Sequence, residues 1–99
     1  MTIRDIISNI DVLSEELVIY ARTVNGRFDS SSEAVLLELS DEDLELSTKN
    51  VSEKYCPGFG YFMEGFMVKE MVEEIRMVPE YQTVDQQVKR VIYYAEFDA

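Results

Sequence analysis

The chain has 99 residues with 20 acidic and 9 basic side chains and no histidine, a net charge of −11. That length fits one domain with its own core, and a 46% hydrophobic share with 11% aromatics excludes a disordered chain despite the acidity. So negative a surface excludes nucleic acid and anionic membranes as partners and favours cationic ligands or a basic protein.

From the N-terminus, Thr2 is a good cap and Asp5 falls in the first turn, where the helix dipole favours an acid. Ile3, Ile6, Ile7, Ile10 and Leu13 recur at helical spacing and predict a helix over 3–10, extending at most to Leu13. Charges interrupt this apolar pattern, so it is no signal peptide, and no run approaches the ~20 apolar residues that span a bilayer. The expectation is a cytoplasmic protein. Leu17 to Arg22 (LVIYAR) reads as a strand, and Glu33 to Leu39 (EAVLLEL) as another. The unbroken Ala34-Val35-Leu36-Leu37 run predicts a central strand covered on both faces. Between the two strands, Asn25-Gly26 signals a turn. The Asp29-Ser30-Ser31-Ser32 that follows has loop composition, so the strands are expected to pair antiparallel across a long connection.

Residues 40–54 are polar, with an acidic patch at Asp41, Glu42, Asp43 and Glu45 and with Ser40 placed to cap a single helical turn. Pro57-Gly58 reads as a turn, and Phe59–Met63 as a short aromatic strand running into a helix from about Glu64. One helix starting at Phe59 is the alternative. Met67, Val68, Met71, Val72, Ile75 and Val78 share a helical face, and Pro79 ends that helix by holding Val78 extended. Thr83 and Gln86 form a capping box for a last helix whose stripe is Val84, Val88, Val91, Ile92 and Ala95. These elements predict an α+β fold, a small antiparallel sheet of about three strands packed against about three amphipathic helices.

The candidate motifs are sparse. Gly58-Phe59-Gly60-Tyr61-Phe62 resembles the central motif of RNA-recognition domains, but Pro57 and Glu64 stand where a basic residue and an aromatic belong. Asp41-x-Asp43-x-Glu45 begins like a calcium loop, yet Leu46 and Ser52 occupy the positions that need glycine and glutamate. Neither a metal nor a cofactor is expected. Cys56 has no histidine to activate it, and without histidine there is no Ser-His-Asp constellation, so no catalytic residues are assigned. A single cysteine makes no internal disulfide. Glu64 lies among Met63, Gly65 and Phe66, where burial would suit a general acid or base, although a first-turn acid is the simpler role.

Tyr93-Tyr94-Ala95-Glu96-Phe97-Asp98-Ala99, and more loosely GYFMEGF, resembles segments of an uncharacterised family of small acidic bacterial domains. The resemblance implies a bacterial cytoplasmic α+β protein of the immunity or antitoxin kind, and it supplies no catalytic residues.

Two functional readings follow. In the first, a non-enzymatic binder meets a basic protein through Asp41, Glu42, Asp43 and Glu45 together with the exposed tyrosines Tyr93 and Tyr94. In the second, a small-ligand site or small enzyme uses a pocket near Cys56, Tyr61 and Glu64. A homodimer through an exposed sheet edge, or a structural subunit in a larger assembly, is a further expectation. Against all of these stands acidity that serves solubility alone.

Overall fold

A computed structural model describes residues 1–97. It is α+β: helix α1 (Ile3–Ser8), strands β1 (Val18–Ala21) and β2 (Ala34–Leu37), helices α2 (Asp41–Leu44) and α3 (Thr48–Tyr55), strand β3 (Gly60–Glu64), and helices α4 (Gly65–Ile75) and α5 (Val84–Phe97). The three strands form one antiparallel sheet in the order β2-β1-β3.

The central strand is β1, not the apolar run of β2. All four β1 residues are buried, whereas β2 is half-buried at the sheet edge. Hydrophobicity alone does not fix strand order, and β2 earns its apolar run differently. Leu36 packs on one side of the sheet, while Val35 and Leu37 pack on the other. The N-terminal residues cover part of its outer edge: Ala34 N–H donates to the Met1 carbonyl at 2.7 Å, and Thr2 bridges Glu33.

Strand alternation splits the interior in two. Ile19 and Ala21 face the larger core with Ile3, Ile7, Val68, Val72, Val88 and Val91, which α1, α4 and α5 supply. Val18 and Tyr20 face a smaller core with Val51 and Cys56, over which α3 lies. Three helices thus cover one face as expected. The other face is closed by α3, from a stretch that reads as polar loop because Val51 is its only aliphatic residue.

Caps set most helix boundaries. Thr2 and Asp5 form a capping box at α1 (3.1 and 2.9 Å), and Thr83 and Gln86 form another before α5 (3.1 Å each way). The first apolar face continues past α1 in a 3₁₀ turn, Ile10–Val12, that buries Ile10. Helix α4 stops at Ile75, three residues before Val78, and the Gln82 side chain donates to the carbonyls of Arg76 and Val78 at 3.2 and 2.8 Å. Asn25 and Gly26 have φ of 53° and 81° and close a two-residue turn with a Val24–Arg27 bridge, but the ladder stops there and β2 begins only at Ala34.

At the β3–α4 junction two stretches of backbone approach closely. Gly65 N–H donates to the Leu17 carbonyl at 2.7 Å. A Cβ on Gly65 would lie 2.8 Å from that oxygen and 3.0 Å from the Ser14 carbonyl oxygen, both backbone atoms. Helix propensity alone makes Gly65→Ala stabilising by about 1 kcal/mol. Here the clash decides the sign, and Gly65→Ala is expected to destabilise by about 1–3 kcal/mol, as overpacking does. Thermal unfolding checks this: a variant that melts at or above the wild-type temperature removes the close approach as the reason for glycine.

Candidate functional site

The smaller core is thin, and a buried carboxylate ties its cover together. Ser40 and Asp43 form a capping box at α2, Asp43 N–H donating to Ser40 Oγ at 3.2 Å and Ser40 N–H to Asp43 Oδ2 at 3.1 Å. From the last turn of α3, Lys54 Nζ reaches Asp43 Oδ1 at 2.7 Å, and the Tyr55 hydroxyl donates to Oδ2 at 2.6 Å. Asp43 is only 2% exposed, so these donors replace its hydration. The Lys54 and Tyr55 bonds, with the Ser40 amide, hold its carboxyl well below the usual carboxylate range. The same contact pushes Lys54 up to about 12.

Beside this anchor, a bulge in β3 builds a small cavity. The register pairs Ile19 with Met63 but Tyr20 with Tyr61, leaving Phe62 as the extra residue. Phe62 and Met63 therefore both enter the larger core, where Phe62 meets Phe28 edge-on at 5.0 Å. In an unbroken strand Tyr61 and Glu64 would point to opposite faces. The bulge puts them together, and the Tyr61 hydroxyl donates to Glu64 Oε2. Tyr61 also meets the Tyr20 ring edge-on at 5.8 Å. Both tyrosines, with Glu64, Asp43, Leu44 and Leu46, line a cavity of about 160 Å³. Burial first, and for Tyr61 the Glu64 bond next, pushes both phenols up, so both stay protonated donors.

Cys56 belongs to the core behind Tyr20 and does not line the cavity. Burial raises its thiol, which keeps it protonated and a poor nucleophile. Of the pocket set read from the sequence, the structure brings together Tyr61 and Glu64 and leaves Cys56 behind them.

The acidic set divides as well. Asp41, Glu42 and Glu45 are exposed, while Asp43 turns inward. Tyr93 and Tyr94 lie on α5, which packs on the opposite side of the sheet from α3, so they do not share a surface with α2. Tyr94 packs against the larger core, and Tyr93 is exposed beside Phe97 with ring centroids 4.8 Å apart. The closing Asp98-Ala99 pair lies outside the described residues. What sequence reasoning missed is apolar exposure on the acidic face: Leu44 is 64% exposed, Tyr55 45%, Leu46 39% and Tyr61 36%. The signal was present in Asp43-Leu44-Glu45-Leu46, because leucines alternating with acids do not share a helical face, and α2 ends at Leu44 with Leu46 beyond it.

No family model, curated protein or solved structure matches the chain. Among the described residues, no helix is long and apolar enough to cross a membrane.

The Asp43 anchor sets a pH dependence. A depressed folded pKa contributes stability that is complete above about pH 3.9, where an unfolded aspartate titrates, and is lost as pH falls through the folded value. The raised Lys54 contributes fully below about pH 10.4, its unfolded value, and its share is lost as pH rises through the folded value. Asp43→Asn is therefore expected to lower the urea midpoint most between these limits, with the gap to wild type closing in acid. A gap of constant size from pH 7 to pH 2 would show that the charge on Asp43 is not what ties α2 to α3.

Proposed function

We propose that this protein is a non-enzymatic, acidic protein-binding domain that engages a basic partner through the α2–α3 face. One observation carries the reading: Leu44, Leu46, Tyr55 and Tyr61 stand exposed on the same surface as the exposed acids Asp41, Glu42 and Glu45. Acids alone suit solubility. Acids interleaved with exposed leucine and tyrosine suit an interface, where the rings and aliphatic groups supply desolvated contact and the charges speed encounter. Neutralising a basic protein in the manner of an immunity or antitoxin protein is the form of binding that fits this size and a net charge of −11. In a bacterial cell that partner would be met in the cytoplasm.

The aromatic groove on α5 fits a basic partner less well. Arg27 and Lys89 line it together with Asp29, Glu96, Tyr93 and Phe97, so its charges already balance. The ligand-site alternative draws support from Tyr61 and Glu64 meeting at one cavity. That cavity of about 160 Å³ is smaller than the roughly 300–1,000 Å³ of usual small-molecule sites, and Cys56 is not on its wall.

The test is capture from lysate of the source cell at low and at high salt, with two charge-matched variants. Asp41→Lys/Glu42→Lys/Glu45→Lys reverses the α2 face, and Glu70→Lys/Glu73→Lys/Glu74→Lys reverses α4 by the same amount. A basic protein held by wild type at low salt and released at high salt should be lost from the α2 variant and kept by the α4 variant. Equal loss from both would reduce the interaction to bulk charge.

A further inference from the structure

We propose that the cavity beneath α2 is an anchor slot for one arginine side chain of the basic partner, with Glu64 as its counter-charge. The inference rests on the partner reading above and specifies what the α2–α3 face grips.

The cavity has an apolar barrel and one uncommitted charge. Val18, Leu39, Leu46 and Val51 supply aliphatic wall, and Tyr20 and Tyr61 supply aromatic wall. Two carboxylates also line it, with different prospects. Asp43 is already engaged by Lys54, Tyr55 and the Ser40 amide. Among the described residues, Glu64 accepts the Tyr61 hydroxyl through Oε2 and enters no ion pair. Although Glu64 is the N-cap residue of α4, its side chain makes no capping bond, so the carboxylate is not consumed by the helix. A half-buried anion at one end of an aliphatic and aromatic slot calls for a cation on an apolar stem.

Arginine meets that description better than lysine. Its guanidinium is flat, stacks on tyrosine, forks onto a carboxylate, and is less strongly hydrated than an ammonium, so it enters a narrow slot at lower cost. The volume of about 160 Å³ suits a side chain rather than a metabolite. The rim identifies a protein as the source of that side chain. Leu44 and Leu46 line the cavity and are exposed, and a partner surface would cover them, whereas free arginine would leave them wet and would bring its own carboxylate onto an acidic face.

The probe is the capped peptide acetyl-Gly-Arg-Gly-amide, titrated into isotope-labelled protein and followed by amide and methyl shifts. Shifts are expected at Leu44, Leu46, Tyr61 and Glu64, and the same peptide with citrulline should bind roughly tenfold more weakly, having lost the charge-assisted bond. Glu64→Gln should weaken the arginine peptide to a similar degree while leaving the melting temperature near wild type. Tyr61→Phe, which frees the second Glu64 oxygen, should bind at least as well as wild type, and it serves as an independent check if the glutamine variant fails to fold. Three results overturn the slot: equal binding of arginine and citrulline peptides, free arginine binding as well as the peptide, or shifts confined to Asp41, Glu42 and Glu45 that persist in Glu64→Gln. The last would leave the acidic-face reading standing, because that reading is judged separately by the capture experiment.

Discussion

Burial of β1 on both faces is the constraint from which the rest of this structure follows. Four consecutive buried residues, alternating Val18 and Tyr20 against Ile19 and Ala21, require an apolar cover on each side of the sheet. One cover is easily made, since α1, α4 and α5 each carry a full aliphatic stripe. The other must come from a stretch with almost no aliphatic residues, and α3 offers only Val51 and Ser52 to the interior. With so little surface to bury, area alone holds α3 weakly. The Ser40–Asp43–Lys54–Tyr55 cluster supplies directional bonds where hydrophobic contact is short, joining the first residue before α2 to the last residues of α3. Lys54 is half exposed, so its share of that tie is screened by solvent, while the fully buried Asp43 cannot lose its donors without being left desolvated.

The second constraint is the bulge at Phe62. By sending Phe62 and Met63 into the same core, it enlarges the aromatic content of the better-packed side, and in compensation it gathers Tyr61 and Glu64 on the thinner side. The β3–α4 junction fixes this arrangement, because Gly65 sits against the carbonyls of Leu17 and Ser14 with no room for a side chain. The candidate site is thus a by-product of how the larger core is filled. Its carboxylate stands at the end of a strand and the start of a helix, elements that hold it more rigidly than a loop would.

How far the sequence revealed this depends on whether the cause was local. Thr2, Ser40 and Thr83 were readable as caps because a cap needs only its own first turn. The α4 and α5 faces were readable because 3.6-residue periodicity is written over eleven and fourteen residues. Helix α3 was not readable: one valine makes no period, and its burial comes from the sheet lying beneath it. The exchange of β1 and β2 in the sheet order is non-local for the same reason, since both runs are apolar and only the position of β3 decides which becomes central. Asp43 is the sharpest case. Nothing in Asp41-Glu42-Asp43-Leu44-Glu45 marks one acid as internal, because the groups that bury it lie eleven and twelve residues away.

That inward turn of Asp43 also changes what the acidity of this face means. An acid that is capped, paired and buried has no charge left to offer a partner, so the acidic run presents Asp41, Glu42 and Glu45 and withholds its middle member. The turn that draws Asp43 in rotates Leu44 out, and Leu46 on the cavity wall is exposed as well. Exposed leucine beside exposed glutamate is therefore enforced by the anchor. A face meant only for solubility would gain from a polar residue at position 44, which makes no demand on the core. On the binding reading proposed above, its apolar identity is what distinguishes this face from a merely charged one, and Leu44 stands with Glu64 on the wall of the same cavity.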